Sequence, residues 1–350
     1  VSAASPRAAL LAGLLFALHP VHTEAVAGKV GRAYVLAALF FVLSFIAHAR
    51  ARLAGAPVHA AKWLIASSLS AAAAFFCHEV GITVLGVNFA FDIFCSALDR
   101  GADQTKDKAK GAGSLAARAA TVFVSLSVLL SLRLRIAGGA APAYAYHMNP
   151  HTHILDTFSR LLTKQYVWAL NLWLLFVPSR LCCDWTSGSV QPVTSLLDMR
   201  NGATLAMYVV LCVVLRSAIS ERGGPAFRVA NAAGFLACTV PFVPAMNVLF
   251  PVGFVIAERT LYIPSIGFVL LVAGWAERAW LSRPARARSF GHAVCAVVLC
   301  LYATKTWHRN AEWRTPRALY ESATRSNPAN SKAWTFLSTT HVEQPVLRER

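Results

Sequence analysis

Two imidazoles, a carboxylate and two cations fall within one short stretch: His19-Pro20-Val21-His22-Thr23-Glu24-Ala25-Val26-Ala27-Gly28-Lys29-Val30-Gly31-Arg32. Apolar runs flank it, Ala8–Leu18 before and Val35–Ala47 after. A polar knot between two membrane-grade runs is where a membrane enzyme or transporter places its chemistry. Pro20 and the paired glycines predict a turn rather than a continuous helix. The expectation is a helix–loop–helix corner facing one aqueous side, with Glu24 aimed into a cavity. Such a carboxylate can orient or deprotonate a hydroxyl. The plainer reading makes Thr23 a helix cap and Glu24 a first-turn acid, which leaves the two histidines unexplained. His19 and His22 are candidates to orient Glu24, and two histidines at this spacing also suit a metal. Arg32 and Lys29 are candidates for an anion, with snorkelling to an interface as the alternative.

Further along lie other groups of the same kind. Glu79 closes an Ala/Phe-rich run and precedes Gly81. Lys164, Arg180 and Asp184 bracket an aromatic stretch containing Tyr166, Trp168 and Trp173, a cationic frame suited to a lipid-linked phosphate. Glu258 and Arg259 are adjacent, so on a helix they do not face each other and each needs its own partner. Arg259 is a candidate phosphate ligand. An inter-helix salt bridge is the structural alternative for this pair. Tyr262, Pro264 and Ser265 read as a helix-entry turn. There is no phosphate-cradling GxxxxGK[ST]. Cys182-Cys183 is a vicinal pair without zinc spacing.

These groups sit in an apolar chain. Of 350 residues, 56% are hydrophobic and 14% charged, with mean hydropathy +0.51. Soluble domains carry about 25% charged residues, so the chain reads as a polytopic membrane protein. The net charge of +17 comes from basic clusters between apolar runs, which fits topological bias rather than nucleic-acid binding. Nine spans are predicted: Ala8–Leu18, Val35–Ala47, Trp63–Cys77, Ile82–Leu98, Ala119–Ile136, Thr204–Leu215, Val229–Phe250, Tyr262–Trp280 and His292–Thr304. Basic loops at His48–Lys62, Arg100–Arg118, Arg216–Arg228 and Arg283–Arg288 mark the cytoplasmic side. The carboxylate-bearing motifs and the C-terminal tail then share the opposite side. Gly101–Gly113 reads as a solvated linker.

Residues 138–201 read as a non-cytoplasmic loop containing an interfacial or re-entrant aromatic helix, not a tenth span. After the last span the chain becomes polar with helical spacing. Asn327-Pro328 marks a turn before a new helix, as at the opening of a tetratricopeptide array.

Four motifs, in order, resemble one family. His19-Pro-Val-His-Thr-Glu-Ala-Val-Ala-Gly-Lys-Val-Gly-Arg32 resembles the HP-[IV]-HTEAVAG-x-VGR signature of the TMTC proteins, the transmembrane and tetratricopeptide-repeat O-mannosyltransferases of the endoplasmic reticulum. Glu79-Val-Gly-Ile-Thr-Val-Leu-Gly86 resembles their KE-x-GITVLGV. Phe158 through Trp185 resembles their central domain. Ala257-Glu-Arg-Thr-Leu-Tyr262-Ile-Pro-Ser-Ile-Gly-Phe268 resembles their AER-x-LY-[IL]-PS-x-GF.

The resemblance implies an all-α, polytopic GT-C bundle over residues 1–305. Residues 306–350 would begin a luminal tetratricopeptide α-solenoid. It implies an endoplasmic reticulum membrane protein that moves mannose from dolichyl-phosphate mannose to Ser/Thr of luminal or secreted proteins, cadherin-like in animals. Glu24, His22, His19 and Glu79 would form the catalytic set. Arg259, Arg32, Arg180 and Lys164 would meet the donor phosphate, with Asp184, Glu258 and Tyr262 shaping the site. Neither a metal nor a tightly bound cofactor is implied; the partners are the lipid donor, the acceptor protein and any protein held by the repeats.

Three departures stand out. Tyr34 replaces the family's usual Asp or Glu, and His78 replaces its Lys. The family's first acidic luminal motif would precede Val1, so the expectation is a fragment of a longer gene. The rival reading is a membrane scaffold presenting the repeats to partners. A transporter lacks support, because no inverted internal repeat is visible.

Overall fold

The computed structural model describes residues 5–102, 114–138, 144–186 and 188–348. All regular structure among them is helical. The helices are α1 (Pro6–Leu18), the short α2 (Thr23–Ala27), α3 (Arg32–Leu53), α4 (Pro57–Cys77), α5 (Thr83–Ala102), α6 (Leu115–Ile136) and α7 (Thr157–Phe176), followed by α8 (Asn201–Ile219), α9 (Gly224–Thr239), α10 (Tyr262–Ala276), α11 (Ala285–Glu312), α12 (Pro316–Ser326) and α13 (Ser331–Arg348). Short 3-10 turns join several of them. The linker expected over Gly101–Gly113 falls mostly outside the described residues.

Among the described residues, eight helical segments are long and apolar enough to cross a membrane, and α1 with the stretch after it makes a ninth if that pair, bent by 46°, counts as one span. This is a multi-pass membrane architecture. The aromatic helix α7 is not in that set.

Local chemistry fixes the helix starts. Ser5 caps α1 by accepting from the Ala8 amide at 3.1 Å, and Pro6 fills the first helical position, where its missing N–H is not needed. Ser114 caps α6 and Asp156 caps α7 in the same way. Several helices outrun the expected spans. α11 starts at Ala285 rather than His292, and α4 at Pro57 rather than Trp63. An apolar count stops at the first cation, whereas Arg and Lys stems extend a membrane helix while their heads reach water. The expected Val229–Phe250 span loses its regular α form at Thr239. Pro241 and Pro244 turn it into 3-10 geometry over Val240–Met246.

The core has two halves. One joins α1, α7, residues 181–190 and α11. The other joins α2 through α6. Helix α10 belongs to both, with Tyr262 and Ile263 in the second half and Phe268, Val269 and Ala273 in the first. It packs on α9 backbone to backbone. A Cβ on Gly267 would lie 2.2 Å from the Cys238 nitrogen and 2.3 Å from the Gly234 oxygen. Small residues permit this approach where water cannot drive association. Outward faces of α6, α8 and α11 stay apolar and exposed, for example Phe123, Val209 and Leu301.

The up-and-down path gives the bundle two ends. The turns after α3, α8 and α10 are basic, carrying Arg50 and Arg52, Arg216 and Arg222, and Arg283 and Arg286. Near that end a buried charged cluster ties three helices. Asp92 of α5 accepts from His48 of α3 at 2.7 Å and from Arg118 of α6 at 2.8 Å, and Arg52 reaches Asp92 and Ser96. The other end carries the His19–Arg32 corner, residues 144–186, 188–200 and 247–257, and the hairpin of α12 and α13, whose Tyr320 and Phe336 rings stack at 5.1 Å.

Candidate functional site

The corner begins where α1 stops. Pro20 cannot continue the helix, and the His19 ring caps the next turn, its Nδ1 accepting from the Val21 amide at 3.3 Å. Thr23 donates to the Pro20 carbonyl at 2.9 Å. One turn of helix then presents Glu24, and the chain folds back across its own backbone. A Cβ on Gly31 would stand 2.5 Å from the Glu24 carbonyl oxygen and 2.6 Å from the Ala25 Cα. Only glycine lets the chain return this tightly.

Glu24 is buried, at 4% exposure. Arg259 holds both its carboxylate oxygens. The Arg259 backbone amide donates to Oε2 at 3.0 Å, and the guanidinium Nη1 donates to Oε1. Residues 235 positions apart in sequence thus meet in a doubly bonded, charge-assisted pair. The guanidinium also lies 5.9 Å from the Phe254 ring centre.

Beside this pair, the Tyr34 and His78 rings pack with centroids 3.8 Å apart and planes tilted by 34°. His78 Nδ1 accepts from the Val80 amide at 3.2 Å. Burial, and after it the positive charge of Arg259, lower the His78 pKa to about 4, so its ring is neutral at pH 7. The two positions noted above as departures are therefore in contact, as a pair of rings where the family signature has an acid and a lysine.

The other expected site residues divide into several places. His19 does not orient Glu24. Both its ring nitrogens are engaged, Nε2 with the Leu175 carbonyl at 3.0 Å and Nδ1 with Val21. His22 does not reach Glu24 either. Its ring lies 4.5 Å from both Phe16 and Tyr262, and its Nε2 is 2.7 Å from Ser265 Oγ. The Ser265 hydroxyl also lies 2.7 Å from the Tyr262 carbonyl. Both histidines are buried structural bonds, and Tyr262 is the ring that packs on one of them. Glu79 is turned outward, its side chain 65% exposed and paired with Arg133 of α6; it does not join Glu24. Arg32 and Lys29 are exposed.

Arg180 is exposed at the rim of a cavity of about 530 Å³, lined by Trp173, Trp185, Tyr166 and Leu170 and closed on the tail side by Asn327 and Pro328. Lys164 sits apart, half-buried beside Asn149, His151 and Trp168. Burial and then Arg160 lower its pKa. Asp184 ties the tail to the membrane part: Lys332 donates to it at 2.6 Å, Asn330 at 3.3 Å and the Thr186 amide at 2.8 Å. Burial works against its ionised form, and these bonds outweigh it, so its pKa is lowered. Glu258 is fully buried. The Cys182 amide donates to its Oε1 at 2.5 Å and Trp185 Nε1 at 3.2 Å, and Arg309 Nη2 stands 3.9 Å from its Oε2.

Sequence reasoning missed Arg309, which is 2% exposed at the end of α11, and it missed the Asp92 cluster. A signal existed for each. Asp92 is a carboxylate inside an apolar run, and Arg309 follows Tyr302 and Thr306 on one helical face. Among the described residues no group of three or more His, Cys, Asp or Glu is placed to hold a metal ion.

Residues 138–212 match the family model described as "Protein O-mannosyl-transferase TMTC, DUF1736". Protein O-mannosyl-transferase TMTC3 of Mus musculus is 35% identical over 341 residues, covering 94% of this chain and 36% of that protein. TMTC4 of Homo sapiens is 37% identical over 346 residues, covering 94% and 46%. The Xenopus laevis tmtc2 protein is 30% identical over 402 residues, covering 97% and 47%. The chain belongs to the TMTC family. It spans roughly a third to a half of the length of these curated relatives. No solved structure matches it. In this TMTC chain the matched region contains α7, the cavity rim at Arg180 and the Cys182–Trp185 segment that meets Glu258. The corner and the 3-10 turn Glu258–Leu261 lie outside it and dock against it.

Proposed function

We propose that this TMTC chain carries the membrane part of a protein O-mannosyltransferase, taking mannose from dolichyl-phosphate mannose to Ser or Thr of luminal or secreted proteins. The observation that carries the reading is the buried Glu24, bonded twice by Arg259 at the bundle end away from the basic turns. The relatives are named as O-mannosyl-transferases, which supports the chemistry. The basic turns on the other end support a site facing the lumen of the endoplasmic reticulum, with residues 306–350 luminal as the first helices of a tetratricopeptide array.

The step needs the acceptor oxygen to bond to mannose C1 while the C1–O bond to phosphate breaks. Glu24 orients the acceptor hydroxyl and takes its proton. Arg259 gives one guanidinium N–H to Glu24 and is also bonded by Tyr34; its remaining N–H groups are set against charge on the leaving dolichyl phosphate. Arg180 and the tryptophan-lined cavity offer a second cationic, aromatic surface near the same end. The test is transfer of labelled mannose from dolichyl-phosphate mannose to a Ser/Thr-containing acceptor in microsomes, comparing the full-length protein with its Glu24→Gln form. Transfer that is equal in the two removes Glu24 from the mechanism. The scaffold reading draws on the Asp184–Lys332 tie, which fixes the tail to the bundle. Folded protein with no transfer in any form favours the scaffold.

A further inference from the structure

Glu258 and Arg259 are consecutive residues of one 3-10 turn, yet they face opposite ways. Arg259 holds Glu24. Glu258 points into a buried junction where Cys182 and Trp185 bind one carboxyl oxygen and Arg309 approaches the other. Arg309 is itself pinned: its Nη1 donates to Glu312 at 2.5 Å and to Ser322 of α12 at 3.2 Å. The remaining atoms of the contact, Glu258 Oε2 and Arg309 Nε and Nη2, make no hydrogen bond. The 3.9 Å approach of the Arg309 guanidinium to the Glu258 carboxyl, both buried, therefore ties this side of the turn to α11. Removing either side chain opens a gap in that buried contact.

Helix α11 reaches the whole corner along one face. Tyr302 donates to the Leu175 carbonyl at the end of α7, at 3.2 Å. Thr306 donates to the Leu18 carbonyl at the end of α1, at 2.7 Å. Arg309 meets Glu258, and Trp313 lies where a Cβ on Gly28 would be 3.4 Å from its ring. The spacings of four, three and four residues repeat the helix period.

We infer that Arg309 is a positioning residue for the Glu24–Arg259 pair, acting through Glu258, so that the seating of the C-terminal helices on α11 sets the geometry of the candidate site. Arg309 touches neither Glu24 nor any substrate group; its influence runs through the backbone turn. The catalytic consequence rests on the mannosyltransferase reading. The positioning itself has a readout that does not.

That readout is the Arg259 amide, which donates to Glu24. Hydrogen exchange followed by mass spectrometry on full-length protein in detergent reports it in a peptide covering residues 257–262. Arg309→Gln is expected to speed exchange there by at least about tenfold, and Arg309→Lys, which keeps the charge, to stay within about twofold of the unaltered protein. Glu258→Gln keeps an acceptor for Cys182 while replacing the carboxyl oxygen that Arg309 approaches, and tests the same link if Arg309→Gln does not fold. Exchange at 257–262 that is unchanged in both Gln forms overturns the inference. So does equal behaviour of Arg309→Lys and Arg309→Gln. In the transfer assay, Arg309→Gln is expected to lower kcat, and to add little when Arg259→Gln is already present. Fully additive losses also overturn it. If exchange responds as expected but the unaltered protein transfers no mannose, the proposed activity falls and the positioning stands.

Discussion

Arg259 gives Glu24 two bonds from different parts of itself, one from its backbone and one from its guanidinium. The backbone bond fixes one carboxylate oxygen, and the side-chain bond fixes the other. Substitutions separate the two. Arg259→Lys keeps the amide bond and a cation but loses the planar donor fork, whereas Glu24→Gln keeps an acceptor and loses the charge. On the proposed mechanism Glu24→Gln lowers kcat by about 10² or more. Arg259→Lys lowers it less and raises the KM for the lipid donor. Initial rates at varied donor concentration check both.

The Tyr34–His78 pair gives a pH dependence. The His78 pKa falls from 6.5 unfolded to about 4 folded, so between those values the unfolded chain binds the extra proton. The stability contributed by the neutral ring is complete above pH 6.5 and is lost as pH falls toward 4. Melting temperature in detergent should fall over that window, and the fall should be smaller in His78→Phe, which keeps a stacking ring. His78→Lys alone sets a cation beside Arg259 and should lower the melting temperature at pH 7. Adding Tyr34→Glu should recover it.

Asp92 is bonded by His48 and Arg118 and approached by Arg52, inside the bundle at the basic end. Asp92→Ala removes the buried acceptor shared by His48 and Arg118, while Arg52 keeps Asp99, at a cost of about 3–5 kcal/mol. Folded yield and thermal stability in micelles should drop sharply. Transfer per folded molecule should not, because the cluster lies at the end opposite Glu24.

The Asp184–Lys332 bond predicts how the tail releases. Asp184 has a lowered pKa, so its contribution is full above about pH 3.8 and is lost as pH falls through its native value. Asp184→Asn and Lys332→Met should each weaken docking of α13 by about 1.5–3 kcal/mol, and the double substitution should add little. Limited proteolysis between α12 and α13 measures it.

The helical, membrane-spanning plan was legible because apolar runs and basic turns repeat along the chain. The aromatic helix α7 is not among the helices apolar enough to cross a membrane although it has 20 residues, because Arg160, Lys164, Gln165 and Asn171 interrupt its apolar residues. Glu24 and Arg259 were legible as chemistry, because each sits in a polar motif beside apolar sequence. Their pairing was not, because nothing local tells an arginine which distant carboxylate it will meet. The histidines misled for a physical reason. A ring next to a carboxylate in sequence points elsewhere once a proline turn rotates it, and His19 and His22 were rotated into the core. Arg309 was hidden because its run, Lys305-Thr-Trp-His-Arg309, reads as a solvated tail until α11 is seen to carry it inside.

The back-to-back arrangement at Glu258 and Arg259 also constrains how such a chain can drift over time. Composition around the turn can vary wherever a contact is preserved, but length cannot. One residue inserted or deleted there would swing the glutamate toward the corner and the arginine toward the tail, undoing two attachments in a single event. Gene copies that remain functional should show substitutions across this turn and no gaps within it.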